Sequence, residues 1–217
     1  MTGTAGAGPD AAIPGAAFDT VILAGGSAAR MGGADKPGIA VGRTAMLVLV
    51  AQAAAAAGTT RLIVVGPPRA GAVGDALAEL GAVVVREEPP GGGPVPALRR
   101  GLAETTAAWS LVLAADLPFL RGALLADLLA RGRAAAAAGA VLTDDDGRPQ
   151  WLAGGWQTGA LRVALAAYPG NSLRGLLGPL APVLVRAAAA GSGPPQWLDC
   201  DSPADVAAAR RLVGPAE

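Results

Sequence analysis

Short runs of β-branched and aliphatic residues alternate along this chain with longer alanine- and leucine-rich stretches, and that alternation restricts the fold more than any other feature. Strands are predicted over residues 20–24, 61–65, 82–85, 110–114 and 139–143. Helices are predicted between them, over residues 44–57, 72–80, 95–106 and 122–138. In the last of these, Leu124, Leu125, Leu128 and Leu129 recur at helical spacing and define one apolar face. Strands joined by helices of this length pair in parallel, because a parallel pair needs a crossover connection. The expected fold class is therefore α/β: a single-domain, three-layer αβα sandwich on a mostly parallel, Rossmann-like twisted sheet.

The second half is less regular, with a strand expected over 151–156, a helix over 158–167 and a strand over 182–186. The end is clearer. Ser202-Pro203-Ala204-Asp205 offers a cap, a proline at the first helical position and an acid three residues after the cap, so a terminal helix is predicted through 206–212.

Composition removes several functions. The chain has no histidine and one cysteine, Cys200, which excludes Ser-His-Asp hydrolysis, histidine-ligated zinc and intramolecular disulfides. Basic and acidic residues balance at 17 each and aromatic residues make up 3%, so neither a phosphate-backbone footprint nor a base-stacking surface is expected, and nucleic acid is not an expected partner. No stretch of about 18 residues is continuously apolar, so no membrane span is expected. Residues 1–17 carry Asp10 as their only charged side chain and lack the basic start and apolar centre of a secretion signal. They are expected to form a disordered tail ahead of one domain, 18–217, in a cytoplasmic protein. The chemistry left to such a chain uses carboxylates, lysine, arginine, hydroxyls, backbone amides and a hard metal ion.

The richest segment is residues 23–36, Leu-Ala-Gly-Gly-Ser-Ala-Ala-Arg-Met-Gly-Gly-Ala-Asp-Lys, directly after the first predicted strand. Ligands of open α/β sheets bind beyond the carboxyl ends of strands. Glycines there bring backbone N–H groups close to phosphate oxygens, and Arg30 and Lys36 offset triphosphate charge. The string is neither a Walker A sequence nor the Gly-x-Gly-x-x-Gly dinucleotide fingerprint. On residue types alone, a glycine loop with two solvated cations is the competing reading.

Leu23-Ala24-Gly25-Gly26, Arg30-Met31-Gly32-Gly33 and Asp35-Lys36 together resemble the signature loop of molybdenum cofactor guanylyltransferases, the MobA-like nucleotidyltransferases. The resemblance runs from about Phe18 to Leu212. It implies transfer of GMP from GTP to the phosphate of molybdopterin with Mg²⁺ as cofactor, giving a guanine dinucleotide cofactor and pyrophosphate. It also implies as partners the molybdenum cofactor itself and proteins of molybdenum insertion and molybdoenzyme maturation. Leu23 and Ala24 would border the nucleotide, Gly25 and Gly26 would meet its base and ribose side, and Arg30 and Lys36 its phosphates. The Ala-Gly-Gly form is associated in this family with guanine, an Ala-Ala-Gly form with cytosine. A cytidylyltransferase, a sugar-phosphate nucleotidyltransferase and a non-catalytic nucleotide-binding adaptor for cofactor delivery are the alternatives on the same scaffold.

Further segments fit the same resemblance. Ala115-Asp116-Leu117-Pro118 is similar to the family's Asp-x-Pro motif, which makes Asp116 both a catalytic residue and the first metal ligand; a turn carboxylate before proline is the plain alternative. Asp199-Cys200-Asp201-Ser202-Pro203 is similar to a late acidic motif, implying Asp201, or else Asp199, as the second ligand, although Asp201 or Ser202 would also serve as a helix cap. Gly93 and Pro94 match a Gly-Pro that precedes a nucleotide-facing helix, while Pro96-Ala97 stand where Ala-Gly is usual. Asp144-Asp145-Asp146-Gly147 reads as a hairpin tip. By resemblance, Arg148 beside it and Arg174 border the pterin. Trp109, Trp151, Trp156 and Trp197 are expected to be packing residues, and Cys200, between two carboxylates, is no nucleophile.

Overall fold

A computed structural model describes residues 17–25, 36–187 and 193–213. The Gly26 to Asp35 part of the glycine loop and residues 1–16 of the expected tail lie outside the described residues. Nine strands and seven α-helices are described: β1 (Phe18–Leu23), β2 (Ala40–Val41), β3 (Thr44–Ala45), α1 (Met46–Ala56), β4 (Arg61–Val65), α2 (Gly71–Glu79), β5 (Val83–Val85), α3 (Pro94–Leu102), β6 (Trp109–Ala114), α4 (Gly122–Ala134), β7 (Gly139–Thr143), β8 (Pro149–Gln157), α5 (Thr158–Ala167), α6 (Leu173–Leu177), β9 (Val183–Arg186) and α7 (Pro203–Val213).

Seven strands form one sheet in the order β5-β4-β1-β6-β8-β7-β9. All neighbours are parallel except β8, which runs against β6 and β7. The expected mostly parallel α/β sandwich is what is found. Alternation along the strands divides the core: Ile22, Leu62, Val64, Leu111 and Leu113 face α1, α2 and α4 on one side. Val21, Leu23, Ile63, Val65 and Val112 face α3, α5 and α6 on the other. A strand covered on both faces reads as a continuous apolar run, which is why residues 61–65 and 139–143 are legible in the sequence.

Predicted and observed boundaries differ where a local hydrogen bond competes with the helix. Thr44 and Ala45 pair with Ala40 and Val41 in a small hairpin, so α1 starts two residues later than expected. At the end of α3, Thr105 Oγ1 donates to the Leu102 carbonyl and the helix stops short of residue 106. The terminal helix was anticipated by its capping residues: Asp205 accepts from the Ser202 N–H and hydroxyl at 2.7 Å each.

Helix α3 crosses β1 and β4 at glycine. A Cβ on Gly101 would lie 2.4 Å from Val21 Cγ1 and 2.8 Å from Val65 Cγ2, so only glycine lets the helix sit this close to the sheet. Its amino end is thereby held over the carboxyl ends of the strands. Gly101→Val is expected to destabilise the fold by about 1–3 kcal/mol through overpacking. Gly159→Val in α5, where nothing lies within 4 Å, is expected to be nearly neutral. Urea denaturation of the two variants checks the difference.

Candidate active site

The chain winds outward from β1 to β4 and β5, then returns to place β6 on the other side of β1. The crevice at the carboxyl ends of β1 and β6 is thus the topological switch point, where doubly wound sheets bind ligands. Pairing continues one residue past the strands, with the Ala24 N–H donating to the Val65 carbonyl at 2.8 Å and the Ala115 N–H to the Leu23 carbonyl at 3.1 Å. Gly25 and Asp116 are therefore the residues that leave the sheet side by side, one from each wall of the crevice.

Three distant segments meet there. The Lys36 ammonium donates to Asp116 Oδ2 and to Asp201 Oδ1, both at 2.5 Å. Lys36 and Asp116 side chains are about four-fifths buried, whereas Asp201 is half exposed at 51%. Burial alone would lower the Lys36 pKa, but the hydrogen bonds and charges of the two carboxylates more than reverse this and raise it above its ordinary value. The ammonium stays charged.

The backbone brings Asp201 to this point. The Cys200 N–H donates to the Asp116 carbonyl at 3.1 Å, and Gln196 accepts from the Arg121 N–H at 2.9 Å, fastening the segment before α7 across the end of β6. Val41, Met46, Cys200, Val206 and Ala209 form a small separate core that binds α7 to the β2–β3 hairpin. Helix capping falls to Ser202, which leaves the Asp201 carboxylate turned to Lys36. Asp199 joins the same field: burial first, then the charges of Asp201 and Asp116, raise its pKa, and Lys36 offsets part of that. No group of three or more His, Cys, Asp or Glu among the described residues forms a ready metal cage. The pair Asp116 and Asp201 nevertheless suits a hard cation that takes one or two carboxylates and completes its shell with phosphates and waters.

A further carboxylate, not singled out by the sequence, lies at the other end of the crevice. Glu87, 6% exposed, accepts from the Gly91 N–H at 3.1 Å through Oε1, while its buried Oε2 has no partner among the described residues. A Cβ on Gly25 would sit 3.4 Å from Glu87 Oε1. Glu87 follows β5 and Asp116 follows β6, three strand positions apart, or about 14 Å at the usual strand spacing. In the sequence Glu87 is one of two adjacent acids in a polar loop, and only the fold separates it from its exposed neighbour Glu88.

The other anticipated residues fall as follows. Leu23 ends β1 and Ala24 is buried just past it. Gly93 precedes α3 with φ +99°, a backbone conformation that favours glycine, and Pro94 is the first helical residue. The Asn171 amide donates to the Gly92 carbonyl at 2.9 Å, packing the loop before α6 on this glycine turn. Arg148 is at the β7–β8 hairpin tip, paired with Asp146 at 2.6 Å, and Arg174 is exposed on α6. Gly26 and Arg30 lie outside the described residues. Trp156 is fully buried, and Trp151 and Trp197 pack against the two sheet cores. Arg133 stacks on Trp109 with its guanidinium 5.4 Å from the ring centroid. No helix among the described residues is long and apolar enough to cross a membrane.

A doubly wound sheet with a cation and carboxylates at its switch point is the arrangement of a ligand-binding protein of the α/β class. Residues 20–183 match the MobA-like NTP transferase domain, and the chain belongs to that family of nucleotidyltransferases. No curated protein matches it in sequence. Among solved structures it is similar to a nucleotidyl transferase from Methanothermobacter thermautotroptrophicus, with TM-score 0.69 and 21% identity over 89% of this chain and 96% of that one. It is also similar to molybdopterin-guanine dinucleotide biosynthesis protein A from Archaeoglobus fulgidus, with TM-score 0.67 and 16% identity over 90% and 98%. The 2-C-methyl-D-erythritol 4-phosphate cytidylyltransferase from Thermus thermophilus gives TM-score 0.65 and 21% identity over 89% and 97%. At these identities the likeness is one of fold.

Cys200 is fully buried, and burial first, then the charges of Asp116 and Asp199, push its pKa from 9.0 up to about 11. Native protein is expected to resist thiol-specific reagents at pH 8 and to react once unfolded. Between pH 9.0 and about 11 the unfolded chain gives up this proton first, so the group's contribution to stability is lost as pH rises through that window. Reagent titration and urea midpoints across that range check both; rapid native labelling at pH 8 would contradict the burial.

Proposed function

We propose that the protein transfers GMP from GTP to the terminal phosphate of molybdopterin. An acceptor phosphate oxygen attacks the α-phosphorus, the bond from that phosphorus to the bridging oxygen breaks, and pyrophosphate leaves. The observation that carries the transferase reading is the meeting of Lys36, Asp116 and Asp201 at the switch point. A phosphate monoester is already anionic near neutral pH, so no strong base is needed, and a chain without histidine is adequate. The work is positioning and neutralisation of charge.

In this reading the N–H groups of the glycine loop and Arg30 grip the triphosphate, Lys36 meets the departing pyrophosphate, and Asp116 and Asp201 (or Asp199) would hold Mg²⁺. Bound there, Mg²⁺ would supply charge neutralisation on the phosphate oxygens. The α3 amino terminus at Gly93 and Pro94 adds a positive dipole end to the nucleotide side. Arg148 and Arg174 are the anion-binding candidates for the pterin phosphate; Arg148 would exchange Asp146 for it.

In this reading Glu87, beside Gly25, would favour guanine over the other bases. A carboxylate only accepts hydrogen bonds, and guanine alone offers adjacent ring N–H and amino donors on one edge; Oε2 is itself buried, so a base would reach it only by displacing what covers it. Cytosine and adenine present an amino group beside a ring acceptor, and uracil presents one N–H between two carbonyls. Each of those bases would set a lone pair against the carboxylate. The guanylyltransferase reading is thus favoured over the cytidylyltransferase one on the same scaffold.

Pyrophosphate release in the presence of GTP, molybdopterin and Mg²⁺ tests the proposal. The wild type is expected to turn over GTP in preference to CTP, UTP and ATP. Asp116→Ala is expected to fold and lose activity by about 10²-fold or more. Glu87→Gln is expected to weaken GTP use by about tenfold or more, with CTP and ATP changed little. Nucleotide binding without any pyrophosphate release would instead identify a non-catalytic adaptor.

A further inference from the structure

We propose that Lys36 is the resident counter-cation of the nucleotide-free site, and that a divalent metal occupies Asp116 and Asp201 only after Lys36 has moved off them, a move that an incoming anion favours. This rests on the reading of Asp116 and Asp201 as metal ligands. The ammonium sits 2.5 Å from an oxygen of each carboxylate and so fills the position between them that a metal would take. A metal ion bound by those oxygens at about 2.0–2.1 Å would stand almost in contact with the ammonium, and two like charges at that distance repel strongly. One cation must leave before the other enters.

The local architecture lets the side chain move while the backbone stays. Lys36 opens a short 3-10 turn, Lys36–Gly38, in which the Ile39 N–H donates to the Lys36 carbonyl at 3.1 Å. The residue type matches the task. Lys36 is the only lysine in the chain, and the other 16 basic residues are all arginine. An ammonium on a four-carbon stem is a compact charge that swings between partners, whereas a guanidinium fork prefers one planar, bidentate arrangement. With a triphosphate at hand the ammonium gains new oxygens as it leaves the carboxylates; without one it leaves two ion pairs for water. Metal and nucleotide therefore bind with positive coupling, each raising the affinity of the other by the same factor.

Manganese binding to the nucleotide-free protein, read by electron paramagnetic resonance, tests this apart from catalysis. Lys36→Met is expected to bind Mn²⁺ at least tenfold more tightly than the wild type. Adding GTP is expected to tighten Mn²⁺ binding by the wild type far more than by Lys36→Met. If folded Lys36→Met binds Mn²⁺ no better than the wild type, while Asp116→Asn weakens Mn²⁺ in the wild-type GTP complex, the metal site stands and the exchange is refuted. If Asp116→Asn leaves Mn²⁺ binding unchanged in every form, the metal reading itself fails and the exchange with it. Should Lys36→Met not fold, the wild type still gives an answer, because a single lysine makes side-chain amine methylation assignable to one peptide. Lys36 is expected to methylate slowly alone and several-fold faster with saturating Mn²⁺; a rate indifferent to Mn²⁺ would overturn the exchange.

Discussion

The fixed point of this molecule is β1. All six of its residues are buried, it is paired in parallel on both edges, and helices cover both its faces. Such a strand cannot shift register without turning apolar side chains the wrong way and breaking two ladders at once. Its carboxyl end is consequently rigid, and the candidate site is hung from it: Ala24 and Gly25 continue out of it, and Asp116 leaves the adjoining β6 beside it. Even the buried Asp19 at its start helps, accepting from the Thr106 and Ala107 N–H groups and so fixing the entry to β6.

Around that point the chain accumulates negative charge, answered among the described residues by the Lys36 ammonium. Asp116, Asp199 and Asp201 arrive from the ends of two segments joined by the Cys200–Asp116 backbone hydrogen bond. Burial and mutual repulsion raise the Asp199 and Cys200 pKa values, while the Lys36 pKa rises in response to the carboxylates about it. On the proposed exchange, an anionic substrate would supply the means by which one cation replaces the other in this crevice. At its far end Glu87 keeps a buried oxygen that no described residue partners, an arrangement that costs stability unless a donor reaches it.

Much of the fold is legible in the sequence because its strands are covered on both faces and its helices carry clear apolar stripes. Residues 139–143 and 158–167 match β7 and α5 to the residue, and Ser202 and Asp205 announce α7 through their capping chemistry. What escapes is whatever depends on long-range contact. The β2–β3 hairpin has two residues a side, too few for any periodic signal, and α6 is a single short turn after Ser172. The convergence of Lys36, Asp116 and Asp201 was accessible through motif resemblance, whereas their 2.5 Å contacts, spanning 80 and 165 positions, were not. Glu87 was missed because an acid in a proline- and glycine-rich loop looks solvated until the fold shuts water away from it.

A crystal structure of the protein with GTP and Mn²⁺ bears most directly on the central claim that triphosphate, metal and lysine share the switch-point crevice. The anomalous signal of manganese is expected between Asp116 and Asp201, with the Lys36 ammonium on the triphosphate and the guanine edge against Glu87. A triphosphate bound away from the β1–β6 crevice, with Lys36 still bridging the two aspartates, would contradict that claim.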